Sequence, residues 1–271
     1  MEKIILNGKK IAEKIKEDIR KEIKKRNLKP GLAAILVGKE PSSLIYVSLK
    51  EKAAKKMGIK FKKFALANKT SNKKIIELIK KINKDKSING VILQLPLPKH
   101  LNSNKLVKNI SPLKDVDGFN PATKFISPVY QATLKLIKET KINLKNKKTV
   151  ILSKNEIFAE PLKKFLEKNQ IKTEIIYLKK SFSLLEKNQI KTADLIVIAI
   201  GKPKFIKPEM IKKNAVVIDI GYNRIKGKAV GDADEKIRKK TPYLSPVPGG
   251  VGPLTVAYLL KNVYLSSKNK N

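Results

Sequence analysis

The sequence predicts an α/β protein of two lobes, each built on a mostly parallel sheet. Short apolar runs rich in β-branched residues alternate with helix-period segments along the chain. A Pro-, Asp-, Gly- and Asn-rich stretch, residues 111–127 (SPLKDVDGFNPATKFIS), interrupts the alternation and marks a boundary. The 271 residues are enough for two modest cores.

Ile11, Ile15, Ile19 and Ile23 recur every fourth position, which predicts an amphipathic helix over about 8–26. Leu32–Val37 (LAAILV) reads as a buried parallel strand. Pro41-Ser42-Ser43 supplies a helix start and Met57-Gly58 a stop. A strand is expected near 60–66, a helix near 72–83, a strand at 90–95 and a short helix near 102–109. Beyond the loop, helices are expected at 130–140, 157–168 and 184–191, with strands at 148–152, 173–178, 194–200 and 215–220. A helix near 233–240, a loop Ser245–Pro253 and an apolar helix Leu254–Leu265 complete the chain. The second half thus reads as a doubly wound sheet, which binds dinucleotides at its strand ends.

Cysteine is absent, which excludes disulfides, thiolate metal sites and thiol nucleophiles. The single histidine, His100, cannot build a multi-histidine centre, and no metal is expected. No run has the apolar length of a membrane span, and MEKIILNGKK lacks a signal-peptide core. A soluble cytoplasmic protein with no membrane partner is expected. The net charge of +38 attracts phosphate, yet only Arg20, Arg26, Arg224 and Arg238 among 61 basic residues are arginine. Arginine is the side chain that forks onto phosphate and base edges. The scattered lysines read as solvated faces, so nucleic acid is expected to bind at most nonspecifically through lysine charge. A dedicated basic nucleic-acid-binding protein is the rival reading from another class.

Four segments carry candidate chemistry. Tyr46 and Lys50, in YVSLK, share one helix face, although a lone lysine there also reads as solvated. In Gln94-Leu95-Pro96-Leu97-Pro98, two prolines stiffen the end of a buried strand. Gln94 then either presents a neutral amide to the crevice or merely ends the strand. Asp115-Val116-Asp117-Gly118 fits metal ligation, acid/base work or a plain Asp-Gly turn. The loop Pro246–Pro253 packs three prolines and three glycines into eight residues, a stiff backbone that a ligand can approach closely.

Together YVSLK, QLPLP, KDVDGF and PVPGGVGPLTVA, with ADLIVIAIGKP (193–203) and VIDIGYNR (217–224), resemble the bifunctional methylenetetrahydrofolate dehydrogenase/methenyltetrahydrofolate cyclohydrolase family in order and spacing. The resemblance implies a folate substrate, NADP as cofactor and a homodimer. It further implies a tetrahydrofolate-binding domain at 1–118 plus 254–271 and a Rossmann-like NAD(P)-binding domain at 119–253. It matches Lys50 to a catalytic lysine, Gln94 to the amide beside it and Tyr46 to an aromatic residue near the pterin. Asp117 matches the carboxylate that recognises the pterin edge, and Pro248 and Gly249 match backbone lining the folate pocket. Ser153, Lys154, Asn155, Ser181 and Tyr222 fall at nucleotide-contact positions.

The nucleotide lobe departs from the family's Gly-x-Ser-x-x-x-Gly turn, reading Ser153-Lys154-Asn155-Glu156-Ile157-Phe158-Ala159. If that turn needs left-handed backbone, a side chain there costs about 1–2 kcal/mol. Glu156 would also place a carboxylate where a pyrophosphate sits, with Glu160 close behind. Ser127-Pro128-Val129-Tyr130 replaces the family's Pro-Cys-Thr-Pro. The alternative expectation is therefore a cyclohydrolase with a degenerate NADP site.

Overall fold

The computed structural model describes residues 6–268. The chain divides into two compact units, each an α/β structure on a parallel sheet. One comprises residues 12–128 and 255–268; the other comprises residues 6–11 and 129–254.

The first unit holds most of α1 (Gly8–Lys25), then β1 (Gly31–Val37), α2 (Pro41–Lys56), β2 (Lys60–Leu66), α3 (Asn72–Lys84), β3 (Gly90–Leu93) and α4 (Ser103–Lys108). Its sheet order is β2-β1-β3, all parallel. Every residue of β1 and β3 is buried, as continuous apolar strands covered on both faces must be. One face packs Ile19, Ile23, Leu32, Ala34 and Ile92 against Leu259, Leu260 and Val263; the other packs Ala33, Ile35 and Val91 against Ile75, Ile79 and Leu106.

The second unit runs α5 (Pro128–Glu139), β4 (Thr149–Ser153), α6 (Glu156–Lys168), β5 (Thr173–Tyr177), α7 (Leu184–Thr192), β6 (Leu195–Ala199) and β7 (Val216–Asp219). Its sheet order is β5-β4-β6-β7, again parallel. A hairpin, β8 (Asn223–Ile225) and β9 (Lys228–Val230), follows. The closing helix α8 (Val251–Lys268) begins in this unit and continues into the first.

Several expectations need correction. The helix expected near 233–240 is a 3-10 turn, Glu235–Lys239, capped by the Asp234 carboxylate; five residues are too few for a sustained α ladder. The β8–β9 hairpin was not expected. Its two-residue loop, Lys226-Gly227, has φ of 48° and 78°, a turn whose usual sequence signal is Asn-Gly rather than Lys-Gly. Helix α8 starts at Val251, three residues early, because Pro253 sits in the first turn where no N–H is needed.

The unit boundaries also differ from 118/119 and 253/254. Lys9 N donates to Gly249 O at 2.8 Å, which ties the chain's start to the second unit. Asn120 N donates to Asp115 Oδ2 at 2.7 Å, which keeps the residues after 118 in the first. Among the described residues no helix is long and apolar enough to cross a membrane.

Candidate active site

In the first unit β1 lies between β2 and β3, so the chain reverses its winding between β1 and β3. At such a switch point the connections leave the strand ends in opposite directions and open a crevice. Lys50 and Gln94 meet there. Helix α2 follows β1, starting at Pro41, with the Glu40 carboxylate accepting Ser43 N at 2.7 Å. Ser43, Val47, Lys50 and Ala54 form its buried stripe at helical spacing, so Lys50 faces inward rather than to solvent. Gln94 follows β3, and its N still donates to Ile35 O of β1 at 2.9 Å.

Lys50 and Gln94 are 9% and 8% exposed, and Lys50 Nζ donates to Gln94 Oε1 at 3.1 Å. Gln94 Nε2 donates to Leu95 O at 2.7 Å, which fixes which end of the amide meets the lysine. The solvated reading of Lys50 is thereby excluded. Tyr46 sits one turn earlier on α2, half-buried.

The loop after α4 supplies the third group. Burial raises the Asp117 carboxyl above its ordinary range, and the Lys50 charge pulls it back, so the two groups share one electrostatic environment. No direct ion pair joins them among the described residues. Asp115 has a different task. It is 1% exposed, accepts Asn120 N at 2.7 Å, and is pushed up to about 6, chiefly by burial. It shapes the turn that presents Asp117. Gly118, at φ +75°, completes that turn; a Cβ there would lie 2.8 Å from Phe125 O and Ser127 N.

Sequence reasoning missed Asn262 on α8. Its Nδ2 donates to Val116 O at 2.9 Å and Ile126 O at 3.0 Å, pinning the Asp117 loop from both sides. A lone asparagine in an apolar helix was the available signal. Among the described residues no group of three or more His, Asp or Glu is placed to hold a metal ion.

Pro248 and Gly249 belong to the second unit, in the loop before α8, with Gly249 at φ +114°. That unit has its own switch point, between β4 and β6. Ser153 ends β4 and Lys154 and Asn155 follow it, Ser181 follows β5 and Tyr222 follows β7, all at the carboxyl ends of the strands. Ser153 Oγ accepts Asn155 N at 3.0 Å, and Asn155 Oδ1 caps α6 by accepting Phe158 N at 3.3 Å.

None of residues 153–159 has positive φ, so the strain expected from the missing glycines does not arise. Glu160 accepts the Tyr177 hydroxyl at 3.0 Å and so is already engaged; Glu156 stands exposed in the first turn of α6. Gly201, just past β6, has φ +70° and open space where a Cβ would point. An unstrained turn, an open crest at the switch point and the exposed Lys154, Lys179 and Lys180 fit a dinucleotide phosphate donor set.

Sequence comparison divides the chain once, between residues 117 and 127. Residues 6–117 match the catalytic domain of tetrahydrofolate dehydrogenase/cyclohydrolase, and residues 127–271 match its NAD(P)-binding domain. The bifunctional protein FolD of Thermodesulfovibrio yellowstonii is 41% identical, across 99% of this chain and 98% of that protein. The FolD protein of Acetivibrio thermocellus is 40% identical with the same coverage. The crystal structure of the bifunctional FolD enzyme of Campylobacter jejuni superposes with TM-score 0.91 at 35% identity, covering 98% of this chain and 99% of that one. The Trypanosoma brucei enzyme, solved with NADP and an inhibitor, gives TM-score 0.90 at 26% identity, covering 97% and 96%. The chain belongs to the tetrahydrofolate dehydrogenase/cyclohydrolase family.

Proposed function

We propose that the protein oxidises 5,10-methylenetetrahydrofolate to the methenyl form with NADP, then hydrolyses that product to 10-formyltetrahydrofolate. The first unit serves as the tetrahydrofolate-binding domain and the second as the Rossmann-like nucleotide-binding domain. The observation that carries the reading is the buried Lys50–Gln94 hydrogen bond beside Asp117, since a lysine held by a neutral amide suits a cationic product.

Oxidation leaves an amidinium-like cation, so a strong fixed positive charge against the reacting carbon would oppose it. Gln94 orients the Lys50 amine without adding charge. NADP, bound in the second unit, supplies the hydride acceptor; Ser153, Lys154, Asn155, Ser181 and Tyr222 are the residues that would hold it. In hydrolysis, water adds to the methenyl carbon as one of its protons passes to the Lys50 amine. The carbon–N5 bond then breaks as Lys50 returns that proton to N5, and the remaining hydroxyl proton leaves to solvent as the formyl carbonyl forms. Asp117 offers two acceptor oxygens to the 2-amino-4-oxo edge of the pterin, which sets the ring's orientation. Tyr46 adds a further folate contact from the same unit. The enzyme works as a cytoplasmic homodimer.

Assaying purified protein for NADP reduction with methylenetetrahydrofolate, and for methenyl hydrolysis without NADP, tests both steps. Both activities are expected. Hydrolysis without oxidation would remove the first step, and neither activity would remove the reading.

A further inference from the structure

The proposed chemistry leaves two buried carboxylates in the second unit unused. Asp219 ends β7, and Asp232 lies two residues beyond β9; they are 2% and 0% exposed. A buried charge is retained only where hydrogen bonds compensate its lost hydration. Asp232 has three such bonds. Its Oδ2 accepts Ile200 N at 2.6 Å and Gly201 N at 2.8 Å, and its Oδ1 accepts Asn223 Nδ2 at 2.8 Å. Asp219 accepts Gly221 N and Ala233 N, each at 2.8 Å.

Two glycines make room for the pair. A Cβ on Gly221 would lie 2.2 Å from the Asp232 carboxyl carbon, and one on Gly231 would lie 2.0 Å from Asp219 Oδ2. Each carboxylate therefore sits directly against backbone, a closeness that no other residue type at 221 or 231 allows. The surrounding chain is clamped as well. Lys204 N donates to Gly231 O at 2.9 Å, Ile206 N to Asp232 O at 3.0 Å, and Asp234 N to Ile206 O at 2.8 Å.

What this arrangement fixes is the course of the chain as it leaves β6. Residues 200 and 201 form the β6 side of the switch-point crevice, and Gly201 faces open space there. Two successive N–H groups converge on one carboxylate oxygen. Because peptide units are planar and trans, the carbonyls of Ala199 and Ile200 are turned away from it. We infer that Asp232, through the backbone of Ile200 and Gly201, is a positioning residue for dinucleotide binding. It does not touch the ligand; it sets the wall against which the ligand lies. The inference rests on the NADP reading above and adds a residue to it.

The test is calorimetric titration of NADP, and separately of tetrahydrofolate, into full-length wild type, Asp232→Asn and Asn223→Ala. Asparagine keeps the size of the side chain but replaces one acceptor oxygen with a donor. Wild type is expected to bind NADP, Asp232→Asn to bind it at least tenfold more weakly, and Asn223→Ala to show a smaller loss. Tetrahydrofolate affinity is expected to stay within twofold.

If wild type binds no NADP, the cofactor reading itself falls, and the inference with it. If wild type binds and Asp232→Asn binds within twofold of it, the inference alone is overturned. Equal losses of both ligands in Asp232→Asn would mark a merely structural role and also overturn it. Should Asp232→Asn fail to fold, unchanged NADP affinity in Asn223→Ala would count against the inference, and a selective loss would support it.

Discussion

Lys50 and Gln94, 44 residues apart in sequence, are joined by a buried hydrogen bond of 3.1 Å across the β1–β3 switch point. The amide cannot invert, because its nitrogen is held by the Leu95 carbonyl. Replacing Gln94 with Ala removes the acceptor that orients the amine. A buried donor left unsatisfied costs about 1–3 kcal/mol, so kcat for hydrolysis should fall on the order of tenfold to a hundredfold. Steady-state kinetics within twofold of wild type would contradict this.

Asp117→Asn keeps the shape of the side chain and removes its charge. Folate KM is expected to rise about tenfold, as for one lost charge-assisted hydrogen bond. Because burial raises the Asp117 carboxyl, it takes up a proton at a higher pH than an ordinary carboxylate. Wild-type kcat/KM should therefore decline on acidification before the usual carboxylate range is reached. That limb should be absent in Asp117→Asn.

Gly118→Ala forces a side chain into left-handed backbone and against Phe125 O and Ser127 N. The left-handed geometry alone costs about 1–2 kcal/mol. A lower urea midpoint together with a raised folate KM is expected, since this turn presents Asp117. An unchanged midpoint would show that the turn is not required.

Asp219 is pushed up to about 7, chiefly by burial and also by the neighbouring Asp232 charge. A carboxyl raised by folding holds its proton to a higher pH in the native state than in the unfolded chain. Its stabilising contribution is full below the unfolded value and is lost as pH rises through about 7. Asparagine mimics the protonated acid and does not titrate. The melting temperature of Asp219→Asn relative to wild type should therefore climb by several degrees between pH 5 and pH 8. A pH-independent difference would contradict the shift.

The fold was legible wherever apolar periodicity was strong. The β-branched runs in β1, β4 and β6 and the isoleucine spacing of α1 placed those elements within a residue or two. The β8–β9 hairpin escaped because its turn residues, Lys226 and Gly227, carry no strong signal. Residues 235–239 escaped because a 3-10 turn and a helix share their first hydrogen-bonding residues. At the site, Lys50 and Gln94 were legible through strand-end placement and the resemblance of their motifs. Asp117 was legible only through that resemblance, because two carboxylates at i and i+2 look alike until the Asn120 hydrogen bond assigns Asp115 to the turn. Asn262 left only a lone asparagine in an apolar helix as its sign, and the pairing of Asp219 and Asp232 depends on contacts distant in sequence, on which local pattern is silent.

The most direct test of the central claim is the hydrolysis rate of Lys50→Met, which retains the length and packing of the side chain and removes its amine. With circular dichroism and folate affinity unchanged, the rate should fall on the order of 10²–10⁴-fold, the usual contribution of a positioned acid/base. Hydrolysis at near wild-type rate would show that the buried amine does not move the protons.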